Sequence, residues 1–542
     1  MSIPNPRPSF TQLPPEVIAL IVEEECRGTG PILVPGLRAP QSRIVSLTQI
    51  SRIWREVASS LCRSHWTAYS ITIHPNKTPD QLTALVALLA NLFANAGPVR
   101  DLQFAFTDLG DIARITLLDI LTRYAPRIAT LGLKLRNAGA ISFLYRPALP
   151  FDRLRSLKFI PHATPPPAPV PDELWKTVTC TGPLGQALEV SVFKNSPCLT
   201  EFEFCEEVWH PRFSDGITLR LWDLPLQRLA VLSITRSWVK EYEVETIFTT
   251  CVQLVSCRIY CDAGISDVRA GLTPPPLSPL ILPYLQDLAI TIRSMDCYLW
   301  DYFTAPNLEQ LSIASLSDDD FDGWHHETFM AFRERSGFSL RGLGLRFDFS
   351  HHAGNILALL RTLPTLEWCA FHWTTVHGFQ LGDINIFLQG IYYDPTRSTN
   401  LLFPNLRCLT LDHDDDNSSL RVLRSRCIEP GSRLQLVRLL VRRDFKPSPS
   451  TATHIAALRK RPGVRTEVAD MDFLGGQLLV EEEQLEDDSG GDDDEMDTDD
   501  DSDSDSEGSE DEGRSAASTM EVGEIMDDNA QDASSNEVTA DE

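Results

Sequence analysis

Apolar positions in this chain fall into a short block that recurs along most of its length. The block reads apolar-x-x-apolar-x-apolar and begins at Val99 (VRDLQF), Ile128 (IATLGL), Leu154 (LRSLKF), Leu199 (LTEFEF), Leu229 (LAVLSI) and Leu254 (LVSCRI). It returns at Leu285 (LQDLAI), Leu308 (LEQLSI), Leu340 (LRGLGL), Leu366 (LEWCAF), Leu406 (LRCLTL) and Leu436 (LVRLLV). Alternation inside each block is the period of a strand with one buried face, so the blocks predict strands. Amphipathic segments such as Ile112–Tyr124, Phe329–Arg335 and Ile356–Leu363 lie between them and predict helices. A proline precedes several blocks (LPYLQDL, APNLEQL, LPTLEWC, FPNLRCL), where it stops the preceding helix and sets an extended approach to the strand. Strand, turn, helix, turn in series predicts an α/β solenoid in which each unit covers its neighbour. His454–Val468 reads as its last unit: a helix ending near Arg461, a turn at Gly463 and a closing strand.

Before the first block the pattern is different. Leu13 leads into Pro14-Pro15, and Val17, Ile18, Ile21 and Val22 follow with helical spacing. Ile44, Leu47 and Ile50 continue at spacing three. Ser51 then fits the N-cap of a third helix carrying Ile53, Trp54, Val57 and Leu61. Three such helices carry more apolar surface than so small a unit buries alone, which points to a partner. A strand-like Tyr69–Ile73 and a helical stripe through Leu82, Leu85, Val86, Leu89 and Phe93 come next.

Leu13-Pro14-x-Glu16, the run Leu47…Ile50-Ser51-x-x-Trp54-Arg55 and the later Trp66 resemble an F-box. The resemblance implies docking on a Skp-family adaptor, and through it on a cullin, with Leu13, Pro14, Ile18, Leu47, Ile50 and Trp54 at the docking surface or its supporting core. The blocks that follow are similar to the irregular leucine-rich repeats found after F-boxes in fungal proteins. Three departures stand out. Cys26–Ser42 is a longer connection between the first two helices than the family needs, and the segment closes as SSLCRSHW. The asparagine that commonly follows each repeat strand does not recur. The longest gaps between blocks hold insertions, Pro161–Pro171 and His377–Thr399, which commonly decorate the binding face of a solenoid.

Charge sharpens the division of the chain. Of the 542 residues, Glu481–Glu542 contain 28 acidic side chains and one basic one, Arg514, so nearly all of the net charge of −28 sits there. That segment has too few apolar residues to offset the entropy of ordering and is expected to be disordered. The expected organisation is a helical F-box-like domain over 1–75, a leucine-rich solenoid over 76–475 and an acidic tail over 476–542. A basic leader with an apolar core is not visible, and the longest apolar run, Leu82–Ala96, is too short to span a bilayer. The twelve scattered cysteines point to a reducing compartment, cytoplasm or nucleus.

No nucleophile elbow, zinc-protease helix or phosphate loop is present in the sequence. Cys251, Cys257 and Cys261 are close together, but Cys257 occupies a core position of its block, so buried thiols are expected in preference to a metal site. The expected activity is therefore not enzymatic and needs no cofactor. The resemblance implies a substrate receptor of a Skp–cullin–F-box ubiquitin ligase, binding a protein target and neither nucleic acid nor membrane. The alternative is an acidic-tailed leucine-rich nuclear protein that binds histones or other basic partners.

Overall fold

The computed structural model describes residues 13–26, 32–35, 42–61, 67–72, 78–95, 102–109, 120–135, 148–161, 191–205, 223–262, 279–292, 299–315, 324–347, 352–373, 382–394, 402–413, 417–429, 432–441 and 445–470. All lie in the first of two units, Met1–Glu483 and Gln484–Glu542. The expectation of a disordered acidic tail, and most of the proline-rich insertion, fall outside the described residues.

The architecture is mixed α/β. Among the described residues, fifteen strands form one parallel sheet in which chain order is also spatial order. It begins with β1 (Ile32–Pro35), β2 (Ala68–Thr72), β3 (Leu102–Leu109), β4 (Ile128–Leu135), β5 (Ser156–Pro161) and β6 (Glu201–Cys205). It continues through β7 (Val231–Lys240), β8 (Ser256–Asp262), β10 (Asp287–Ile292), β12 (Gln310–Ser315) and β13 (Gly342–Arg346). It ends with β14 (Trp368–His372), β15 (Cys408–Asp412), β16 (Leu436–Val441) and β17 (Arg465–Asp470). Two short strands, β9 (Leu280–Ile281) and β11 (Phe303–Thr304), pair separately. All twelve sequence blocks contribute a strand to the main sheet.

Every block forms a strand because its apolar residues reach one continuous core. Leu157, Phe202, Leu232, Cys257, Leu288, Leu311, Leu343 and Cys369 are register partners in succession, and all are buried. The strands start through a shared hydrogen-bond device. The N–H groups of Gln286 and Asp287 both donate to the Val255 carbonyl, those of Glu309 and Gln310 to Gln286, and those of Arg341 and Gly342 to Glu309. The same pairing runs on through Arg341, Glu367 and Arg407 as acceptors, so each strand start satisfies its backbone on the preceding one.

This device corrects two frames read from sequence. Gln435 and Leu436 are the two donors to Arg407, which makes Leu434, not Leu436, the leading residue of the final block. At the other end Phe104 pairs with Leu131 and Phe106 with Leu133, so that block leads from Leu102 rather than Val99. Both segments alternate for longer than one block, and a strict period of two fits frames two residues apart equally well; at β3 a register shift between Leu102 and Gln103 adds a third residue.

Among the described residues, helices occupy several of the connections. Phe329–Arg335 lies within helix His326–Ser336, and Ile356–Leu363 begins within Ala353–Arg361. The segment His377–Thr399, read as an insertion, contains helix Gly382–Ile391. Its Gly390 packs on the preceding helix so closely that a Cβ there would lie 2.3 Å from Leu357 Cδ1.

The N-terminal helices are α1 (Pro15–Cys26), α2 (Arg43–Thr48) and α3 (Arg52–Leu61), with α4 (Pro79–Asn95) following β2. The long connection between α1 and α2 is not simply loop. It carries β1, whose Ile32 pairs with Tyr69 of β2 and is fully buried. Buried Ile18, Val22, Trp54 and Ala58 belong to the same apolar cluster as Tyr69, Phe93 and Phe104.

Candidate functional site

The six residues expected at the adaptor contact divide into two groups. Ile18 and Trp54 are buried in the one apolar cluster to which α1 and α3 both contribute. Pro14 and Ile50 are exposed, whereas Leu13 and Leu47 are half-buried against the core. Local chemistry explains the helix starts. The Pro14 carbonyl accepts from the N–H groups of Val17 and Ile18 at 3.1 Å, leaving Pro15 in the first turn, where its missing N–H costs nothing. Ser51 Oγ accepts from Trp54 N–H at 3.4 Å and the Ser51 carbonyl accepts from Arg55 N–H, the arrangement expected of an N-cap. Arg55 Nε then donates to the Thr48 carbonyl at 3.2 Å, tying the end of α2 to α3.

Sequence reasoning misplaced part of this surface. Val17 and Ile53 read as members of the buried stripes, yet they are 39% and 43% exposed. Leu20, which was not singled out, is 66% exposed. The signal was available in helical geometry: Val17 and Ile53 each precede a buried residue by one position, which turns them about 100° away from it.

The second candidate surface is the sheet face turned away from the buried leucines. Strand alternation places Ser156, Lys158, Glu201, Glu203, Ser256, Arg258, Gln310 and Ser312 there. Lys158 and Glu203 pair across β5 and β6 at 2.7 Å, and Arg438 and Glu467 across β16 and β17 at 2.8 Å. Trp368 lies over Gly342 on this face: a Cβ at Gly342 would meet its indole ring at 2.0 Å.

Toward the ends of β14 and β15 this face becomes buried and polar. His372 Nδ1 lies 2.5 Å from Asp412 Oδ2, which also accepts from Trp373 N–H at 2.8 Å. Asp412 Oδ1 has no hydrogen-bond partner among the described residues. Burial raises the Asp412 carboxyl above the usual carboxylate range, against the pull of His372, the Trp373 amide and Arg346.

Two side-chain ladders run along the edge where the strands begin. Asn307 Nδ2 donates to the Pro283 carbonyl at 2.6 Å and Asn405 Nδ2 to the Pro364 carbonyl at 3.2 Å. Each asparagine follows the proline of its own block and bonds the proline of the block before it. One residue beyond each leading position, charges alternate. Arg341 meets Glu367 through two bonds of 2.9 and 3.0 Å, with Glu309 at 3.6 Å from Arg341 and Arg407 at 3.8 Å from Glu367.

The three close cysteines are core thiols. Cys251, Cys257 and Cys261 are fully buried; burial pushes the Cys251 thiol up to about 12 and Cys257 well above its ordinary value. Gly342 and Gly344 lie inside β13. Among the described residues no group of three His, Cys, Asp or Glu side chains is placed to hold a metal ion, and no helix is long and apolar enough to cross a membrane. Comparison with protein-family models and with curated proteins returns no match for this chain.

Proposed function

We propose that this chain is the substrate-recognition subunit of a Skp–cullin–F-box ubiquitin ligase. In this reading α1–α3 are an F-box that docks on a Skp-family adaptor. The sequential parallel sheet is an irregular leucine-rich-repeat solenoid that binds a protein target. Rate enhancement comes from proximity, because the target is held near a conjugating enzyme carried by other subunits.

One observation carries the reading: the motif positions divide as a docking module requires. Ile18 and Trp54 are buried supports, while Pro14 and Ile50 are exposed, joined by Val17, Leu20 and Ile53. Large apolar residues left in solvent on three packed helices are the usual mark of a protein contact. The parallel sheet, with its strand starts bonded in series, supports the solenoid half of the reading.

Co-precipitation of the full-length protein with a Skp-family adaptor tests the proposal. Retention of adaptor and cullin at micromolar concentration supports it. Failure to retain the adaptor, with histones recovered instead, favours the acidic-tailed alternative.

A further inference from the structure

The last units of the sheet carry a cluster of basic side chains at the ends of their helices. Helix Ser418–Cys427 leads through a short connection into β16, and helix Pro449–Arg459 through one into β17. The two helices pack against each other, so their C-terminal ends and the two strand starts form one edge. Arg424, Arg433, Arg459 and Lys460 on this edge are exposed, and Arg461 is half-buried. Its guanidinium is near enough to Cys427 to pull that thiol down, against the burial that raises it to about 11.

Nothing within the described fold neutralises these five groups. Arg433 donates to the neutral side chain of Asn405 at 3.1 Å. Among the described residues, none of Arg424, Arg459, Lys460 and Arg461 has an ion-pair partner. The carboxylate in the same connection, Glu429, is already held by buried Arg426 at 2.9 Å. Helix C-termini do favour cations, but two of them supply only about −0.5 charge each, so most of the positive charge is left over.

We propose that this edge is a docking surface for an Asp/Glu-rich segment of a partner protein. The cations are spread over two helix ends and two strand starts rather than converging on a pocket. Spaced carboxylates along an extended peptide match that layout better than a single phosphate. Exposed charges in water give a weak, salt-sensitive contact that speeds and orients encounter more than it tightens binding. Calling the partner a ligase target rests on the function proposed above; the acidic chemistry of the partner does not.

The test uses the full-length protein and a fluorescein-labelled ten-residue polyglutamate peptide, read by anisotropy. The wild type is expected to bind, and binding is expected to weaken steeply as salt rises past physiological strength, where the screening length is about 8 Å. Arg459→Glu with Lys460→Glu is expected to weaken binding at least about tenfold, because charge reversal turns attraction into repulsion. The neutral pair Arg424→Gln and Arg433→Gln is expected to weaken it less, with circular dichroism unchanged in both. No binding by the wild type, full binding by the reversed variant, or stronger binding of a single-stranded oligonucleotide would each overturn the proposal. Adaptor co-precipitation, run on the same variants, is expected to be unaffected; its loss in the wild type would sink the ligase reading alone.

Discussion

Ile32 and Tyr69 are parallel register partners, joining the connection between α1 and α2 to the first strand after α3. That pairing makes the N-terminal helices and the sheet one continuous packing unit. Ile32 is fully buried, whereas its neighbour Leu33 is 47% exposed on the other side of the same strand. Ile32→Ala is therefore expected to cost about 2–5 kcal/mol, the range for truncating a buried aliphatic residue. Leu33→Ala is expected to stay within roughly 0.5 kcal/mol of wild type. Chemical denaturation of both variants checks the contrast, and equal effects would show that β1 does not pack as described.

Two carboxylates predict opposite pH dependences. Glu367 is held below its ordinary value first by its hydrogen bonds to Arg341. Its contribution is present above the usual carboxylate pKa and lost as pH falls through the lowered folded value. Because the pair is partly exposed, the effect should be no more than about 1 kcal/mol. Asp412 is raised by burial, so its contribution is present below the usual carboxylate pKa and lost as pH rises through the folded value. Asp412→Asn is thus expected to gain on wild type as pH rises, and Glu367→Gln to lose ground. Urea denaturation from pH 3 to pH 8 reads both, and parallel curves would refute the assignment.

The proline–asparagine ladder predicts a local cost. Asn307 reaches back to the Pro283 carbonyl at 2.6 Å, and removing its amide leaves that carbonyl to water. Asn307→Ala is expected to destabilise by about 1 kcal/mol, the usual net value of one such bond. Asn405→Ala, whose bond is longer at 3.2 Å, is expected to cost less. Comparing denaturation midpoints of the two variants decides the order.

How much of this was legible beforehand depends on what each signal encodes. Period-two blocks located every main-sheet strand from β3 to β16, because burial of residues such as Leu288 and Leu311 leaves a direct trace in sequence. The frame at Leu436 slipped by two residues because alternation does not mark its own beginning, and that at Val99 by three because the register with β4 also shifts between Leu102 and Gln103. β1 was missed although Gly30-Pro31 and Pro35-Gly36 bracket its apolar run, since four residues between two helices look like an ordinary loop. The block-to-block asparagine bonds are not legible in the repeat pattern, which expects an asparagine after each strand, whereas Asn307 and Asn405 stand before theirs. His372 and Asp412 lie 40 residues apart, and only the register of β14 on β15 brings them together.

At the helices, stability and docking should separate. Trp54 is 1% exposed, so Trp54→Ala is expected to cost about 3–5 kcal/mol and to loosen α1–α3 whether or not a partner binds. Leu20 and Ile53 contribute far less, being 66% and 43% exposed. Leu20→Ala with Ile53→Ala is expected to leave the denaturation midpoint almost unchanged while reducing adaptor recovery. Leu13→Ala with Pro14→Ala should act in the same direction: the Pro14 carbonyl that caps α1 belongs to the backbone and survives the change, whereas the apolar lead-in does not. Co-precipitation of the Skp-family adaptor beside circular dichroism measures both properties on one sample. Full adaptor recovery by both double variants would place the contact elsewhere, and a collapsed spectrum would show that these side chains support the fold.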